Sequence, residues 1–481
     1  MSKRILCGVL LALLAGCVTV GPDYKRPSID TPASWRFEAK EVRELANTAW
    51  WEQFNDPVLN GLIRTALAEN KELLIATASI EEFFGRYFST RGNQFPLAGA
   101  NADAFHEHLS EKNTVQPIEG KNNPFNYYDA FLNGSWEIDF WGKFRRATEA
   151  ARAELLGTEE ARRTVALTLV SALAASYVDL RALDKQLEIT RSTAESRKNT
   201  LDLFQLRFQR GIISEVDVSQ AQSEYEDAVA RIPVFERAIA QTENSLSILL
   251  GHNPGPIPRG LTIDELILPA VPAGLPSDLL ERRPDIRRVE QLLIAANARI
   301  GVAKSFYFPT ISLTGIFGTA STELSNLFTA PAQWRNIGVP LTVPLFTAGR
   351  IGGEVKAAEA VQQQALYSYQ QTIQNAFREV DDALVDCGKS GQRLEALNRQ
   401  LKALQNYVRL ANMRYHEGYT SYLEPLDAER SLFNVQLTQV EAQNALFRSL
   451  INIYKSMGGG WVEKAETLTT VQPVREAGFI P

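Results

Sequence analysis

Residues 207–214 read RFQRGIIS, and residues 414–421 read RYHEGYTS: arginine, aromatic, glycine and serine at one spacing, about 207 residues apart. At that offset Gly142-Lys143 recurs as Gly349-Arg350, Ala150 and Ala153 as Ala357 and Ala360, and Leu250-Gly251 as Met457-Gly458. No gap is needed between Gly142 and Gly251. Upstream, Arg91 to Phe95-Pro96 corresponds to Lys304 to Phe308-Pro309 at an offset of 213. A solenoid unit has about 20–50 residues, so this is a duplicated half-protein. Each half reads helix, strand, loop, strand, long helix, glycine turn, helix.

From about Gly142 to Arg210, and again from Gly349 to Glu417, there is no proline and a near-continuous helical pattern. Each stretch would span ~100 Å as a helix. The seam Ile373, Phe377, Val380, Leu384, Cys387, resumed from Leu394 to Val408, steps by fours and threes as in a coiled coil. Cys387 in that seam reads as a small buried apolar residue. Gly211 and Gly418 end the long helices as C-cap glycines do. Shorter helices return over Ser214–Gly251 and Ser421–Gly458, and opening helices cover 57–92 and 278–306, with Pro284 at a first-turn position. An opening helix and a returning helix stacked end to end match one long helix, which predicts a helical cylinder.

The strands alternate. Ala130, Leu132, Trp136, Ile138 and Phe140 are apolar at even positions, whereas Asp129, Asn133, Ser135, Glu137 and Asp139 are polar at odd ones, with Phe131 the exception. In the second half Ile311, Leu313 and Phe317 alternate with Thr310, Ser312 and Thr314, and Val339, Leu341, Val343 and Leu345 form another apolar face. This period suits a membrane strand with a wet interior; a soluble two-sided sheet shares it. No uninterrupted run of about 18 apolar residues follows the N-terminal segment, so a membrane crossing requires a closed barrel. Four strands cannot close one, because bacterial barrels begin at about eight. Several chains are needed, and strand arithmetic permits two or three.

The N-terminus reads as an address. Lys3 and Arg4 precede the apolar run Ile5–Leu14, and Leu14-Ala15-Gly16-Cys17 resembles a lipobox in which Cys17 becomes the acylated first residue. Of three cysteines Cys7 leaves with the signal, so no disulfide framework is possible. The Pro-rich residues 18–56 carry Trp35, Trp50 and Trp51 as anchors. Expected boundaries are 1–16 signal, 17–56 lipidated extension, 57–251 first repeat, 252–277 equatorial linker, 278–458 second repeat and 459–481 C-terminal equatorial segment.

Catalytic constellations are missing. His106 and His108 lack the further ligands of a zinc site, and His416-Glu417 lacks the spacing of a zinc protease. Gly349-Arg350-Ile351-Gly352-Gly353 has neither dinucleotide nor Walker spacing. With a net charge of −6 and basic residues interspersed with acids, nothing supports nucleic-acid binding. The chain reads as a non-enzyme without metal or cofactor. An extended periplasmic coiled-coil scaffold lipoprotein is the alternative, but it leaves the strands unused.

Taken together, LAGC at 14–17, Val20-Gly21-Pro22-Asp23-Tyr24, Trp50-Trp51, Leu279 to Ile286 (LLERRPDI), Pro344-Leu345-Phe346 and Gly458-Gly459-Gly460-Trp461 resemble the TolC-like outer-membrane efflux channels, in the OprM/NodT-type lipoprotein branch. The resemblance spans essentially the whole mature chain. It implies an α+β homotrimer with a twelve-stranded β-barrel, four strands per chain, continued by a periplasmic α-helical barrel. The channel would sit in the outer membrane of a Gram-negative bacterium and export drugs or other small toxic compounds. It would receive them from an inner-membrane pump of RND type through a periplasmic adaptor. The same resemblance implies adaptor-docking tips at Arg207, Gly211, Arg414 and Gly418; by their residues, neither tip carries a large apolar patch. It further implies an acidic periplasmic gate ring at Glu424 and Asp427, and a gate latch at Asp217 and Tyr415. Thr420 stands where TolC itself carries an arginine, so another residue must substitute for that ionic latch.

Overall fold

The computed structural model describes residues 19–29, 31–32, 34–36, 49–110, 124–270 and 276–458. The expected signal, the acylation site Cys17 and segment 459–481 lie outside them. In chain order the elements are α1 (Pro57–Glu69), α2 (Lys71–Gly92), β1 (Leu97–Glu107), β2 (Phe125–Glu137), α3 (Lys143–Gln209) and α4 (Glu215–Leu249). There follow α5 (Leu279–Arg282), α6 (Pro284–Ser305), β3 (Thr310–Ser321), β4 (Gln333–Gly338), β5 (Leu341–Thr342), α7 (Arg350–His416) and α8 (Leu423–Ser456). Both long helices have 67 residues. Two compact units form, one from Ile80–Gly157 and Val289–Tyr369 with N-terminal residues up to Ser28, the other from Ile29–Ser79, Thr158–Arg288 and Gln370 onward. Each unit draws on both halves of the duplication.

The first unit holds an antiparallel sheet in the order β1-β2-β3-β4, with β5 also on β3. Five strands are counted where four were expected, because Pro340 has no N–H to give and splits the last strand. The ladder nevertheless runs through, since Ser312 N–H donates to the Pro340 carbonyl at 3.1 Å. The register sorts the faces. Leu132 lies opposite Phe317 and Trp136 opposite Leu313, while Ser135 faces Thr314 on the other side. Leu132, Phe317 and Ile337 are 60 % exposed or more, so apolar side chains stand outward from the unit. Phe131, the aromatic on the polar face, sits opposite Gly318, where a Cβ would come within 2.4 Å of the Phe131 side chain. Trp334 then meets Phe131 edge to face at 6.4 Å. The exception is a packed aromatic pair over a glycine.

The Val20–Tyr24 motif is a strap in this unit. Val20 N–H donates to the Trp141 carbonyl, Arg146 reaches Asp23 at 2.6 Å, and the Tyr24 hydroxyl donates to Glu290 at 3.1 Å. Gly21, at φ +101°, lies so close to Gly301 that a Cβ would meet its Cα at 2.4 Å. Only glycine permits that approach.

The second unit carries the large core. Trp50 stacks on Tyr454 at 5.2 Å, Phe54 tilts against Phe447 at 5.8 Å, and Trp35 meets Phe377 edge to face at 6.2 Å. The expected tryptophan anchors are therefore in place. Asp56 is fully buried and caps α1, accepting from Val58 and Leu59 N–H, and it also accepts from the Tyr177 hydroxyl at 2.8 Å and Leu261 N–H at 3.1 Å. Burial, then the Asp56 carboxylate, pushes the Tyr177 phenol up, keeping it a donor. The opening helix, expected unbroken over 57–92, is interrupted at Asn70. Its backbone is extended there, its Oδ1 accepts from Leu73 N–H at 3.0 Å, and its amide donates to the Leu249 carbonyl at 2.9 Å. One window within α3 is long and apolar enough to cross a membrane, but 67 % of it is buried inside the protein. It is a core helix. Cys387 is half-buried and burial pushes its thiol up, in keeping with its place in the seam.

Candidate functional site

Two helical hairpins end in the second unit, α3 turning into α4 and α7 turning into α8. Their turns are built alike. Gly211 and Gly418 lie at φ +74° and +75°, the left-handed region that glycine enters without penalty. Gly211 N–H donates to the Phe208 carbonyl and Ile212 N–H to that of Arg207; Gly418 and Tyr419 repeat this on Tyr415 and Arg414. The exits differ. Ser214 caps α4 in a reciprocal box, its backbone N–H and hydroxyl donating to the Asp217 carboxylate at 3.0 and 2.8 Å. No side chain caps α8; instead Arg414 pairs with Glu424 at 3.0 Å.

The structure brings Arg207 and Tyr415 together, the guanidinium donating to the phenol oxygen at 3.3 Å. The Tyr415 ring lies 5.6 Å from that of Tyr422, which lies 4.5 Å from Phe204. Tyr415 thus joins the hairpins, as a latch residue would. Asp217 does not reach across; its bonds run to Ser214 within its own helix cap. Glu424 and Asp427 share a face of α8, three residues apart, with Glu424 half-buried beside Arg414 and Asp427 exposed. Apolar side chains are also exposed at the tips: Phe208, Ile212 and Val216 on the first hairpin, Tyr419 and Leu423 on the second. The tips are more apolar than the sequence pattern suggested.

Sequence reading missed a charged cluster one to two turns further from the tips. Arg197 of α3 holds Glu224 of α4 at 3.0 Å and Asp227 at 3.3 Å, and its guanidinium lies 5.1 Å from the Phe433 ring centroid. Arg430 of α8 reaches the other Glu224 oxygen through Nε at 2.9 Å and also through Nη2. Glu429 accepts from the Asn412 amide at 3.3 Å, and burial pushes its carboxyl up. Glu224 and Arg430 are 206 residues apart in the sequence, and no local motif announces the pair. Among the described residues there is no cluster of side chains able to hold a metal ion.

The sequence profile described as outer membrane efflux protein matches residues 62–252 and 275–459, once on each half. The chain belongs to the outer membrane efflux protein family. It is 33 % identical over 472 residues to the probable efflux pump outer membrane protein TtgC of Pseudomonas putida, covering 96 % of this chain and 97 % of that one. The probable outer membrane lipoprotein SilC of Salmonella typhimurium is 34 % identical, covering 96 % and 99 %. The CusC crystal structures, which concern transmembrane channel formation, superpose with a TM-score of 0.83 at 33 % identity over 92 % of this chain and 100 % of that chain. This family member is accordingly an α+β outer-membrane efflux protein and not an enzyme.

Proposed function

We propose that three copies of this chain close a twelve-stranded barrel and conduct small toxic compounds passively across the outer membrane. The observation that carries this is the four-strand sheet. One face is outward and apolar, the other polar, and the outer edges of β1 and β4 are unpaired among the described residues. A coiled-coil scaffold would have no use for an apolar sheet face against lipid. Energy would come from an inner-membrane pump of RND type, reached through a periplasmic adaptor that docks on the glycine-turned tips. Residues 1–16 would be removed, and Cys17 would carry the lipid. The strap supports this by fixing Val20 to Trp141, where strand gives way to helix beside Phe308. Native mass spectrometry is expected to give three chains starting at an acylated Cys17, with stepwise conductance in planar bilayers. Two chains, an unmodified start elsewhere, or no conductance would refute the corresponding part.

At the periplasmic end we assign Glu424 and Asp427 to an acidic ring. Nine residues past Gly418, Asp427 sits ~14 Å from the tip, and threefold symmetry would gather six carboxylates around one pore. Such a ring attracts cations. Asp427→Ala is expected to lower cation over anion selectivity and to weaken block by multivalent cations. Unchanged reversal potentials would remove the assignment. Tyr415, through Arg207, supports the latch; Asp217 contributes the cap that shapes the first tip.

A further inference from the structure

The outward face of the sheet changes character along its strands. Ala100, Leu132, Phe317 and Arg335 stand opposite one another across β1 to β4, so they form one rung of that face. Towards the helices the face is apolar, with Ile337 and Leu341 on β4 and β5, and Leu313 and Ile311 on β3. Away from the helices Gln333 and Thr319 share the next outward rung, and Ser321 follows opposite Tyr128. Arg335 stands at the boundary.

Its height fits a membrane border. β3 begins at Thr310, two residues above the Trp141–Phe308 stack, and Phe317 lies seven residues further. Nine residues of strand cover about 30 Å, or ~23 Å of membrane thickness at a tilt of about 40°. The apolar band of a membrane barrel is ~25 Å tall. Arg335 therefore lies near the outer limit of the band, on the side away from the helices.

The charges are sorted as well. The strand carboxylates Asp103, Glu107, Asp129 and Glu137 all fall on the opposite, polar face. Arg335 carries the only permanent charge on the outward face of the described strands. It is exposed, and its guanidinium has no hydrogen bond or ion pair among the described residues. In the twelve-stranded reading β4 meets β1 of the next copy, whose outward Ala98, Ala100, Ala102 and Ala104 bring no charge either. A lipid-facing cation is costly at mid-membrane and tolerated near the border, where an anion can reach it.

We infer that Arg335, with Gln333 and Thr319 beside it, binds the phosphate of a phosphorylated glycolipid in the outer leaflet of the outer membrane. The inference rests on the channel reading above. The planar guanidinium offers a two-pronged donor that matches phosphate oxygens, while Phe317, Leu313 and Ile337 below it meet the acyl chains.

Native mass spectrometry of the assembled full-length protein in detergent tests this with four probes: bisphosphorylated lipid A, the same lipid stripped of phosphate, phosphatidylglycerol and inorganic phosphate. Wild type is expected to retain bisphosphorylated lipid A above the other three. Arg335→Gln should weaken that retention about tenfold to a hundredfold, the range of hydrogen bonds to a charged group. Arg335→Lys, which keeps the charge without the fork, should fall between the two. Undiminished retention by Arg335→Gln, or equal retention of the phosphate-free lipid, would overturn the site. Equal binding of phosphatidylglycerol or of inorganic phosphate would overturn the glycolipid as its ligand. Should Arg335→Gln fail to assemble, Thr319→Val is expected to weaken retention about threefold to tenfold, and no change would count against the site. Conductance of the same preparations separates the two readings. A conducting wild type whose lipid retention ignores Arg335 overturns the lipid site alone; a wild type that carries no current overturns the channel reading, and the lipid site with it.

Discussion

Asp56→Ala is expected to destabilise the folded protein by about 3–5 kcal/mol, enough to empty the membrane of assembled channel. The carboxylate accepts from two N–H groups at the start of α1, from the Tyr177 hydroxyl and from Leu261 N–H, all within a fully buried site. Removing a helix cap alone costs about 0.5–2 kcal/mol. The larger part comes from donors left without acceptors where water does not reach. Tyr177 also accepts from Gly260 N–H at 2.9 Å, so its displacement would loosen the linker as well. Asp56→Asn keeps the cap acceptor but offers an amide to two donors, and should fall between wild type and alanine. Heating-dependent loss of the SDS-resistant oligomer measures the order. Equal midpoints for all three proteins would contradict it.

Gly418→Pro is expected to abolish efflux while leaving oligomers in the membrane. Proline fixes φ near −65° and lacks the N–H that Gly418 gives to the Tyr415 carbonyl, whereas the turn needs φ +75°. The local cost is about 3 kcal/mol or more. It falls on a turn where a Cβ at Gly418 would meet nothing within 4 Å, so packing elsewhere is untouched. Gly211→Pro should act likewise on the first tip. Export assays in a strain lacking its own channel, with oligomer yield measured in parallel, check this. Normal export by either variant would argue against docking at the tips.

Much of this architecture is legible in the sequence because periodicity and punctuation are local. The glycine turns, both long helices and the alternation of β2 and β3 follow from residue spacing. What escaped reading depended on partners far away in the chain. Asn70 breaks the opening helix because its amide finds the Leu249 carbonyl and its carbonyl oxygen caps α2. Neither bond is written into residues 57–92. Phe131 breaks the alternation in the sequence, and Gly318 opposite it accounts for the break. At the tips, Arg207 and Tyr415 stand in separate motifs yet touch, whereas Asp217 turns back to Ser214, three residues away. The Arg197–Glu224–Arg430 cluster was invisible for the same reason as Asn70.

The two free margins of the sheet are not alike. β1 offers eleven consecutive residues, whereas on the other side the strand is split at Pro340, whose carbonyl accepts from Ser312 N–H and whose missing donor therefore falls on the β3 side. Joining the β1 margin of one subunit to the opposite margin of the next is head-to-tail, and head-to-tail contacts return upon themselves as a ring when the rotation between neighbours closes. Two unlike margins thus give the assembling subunits a polarity, and a circle that closes leaves neither of them exposed.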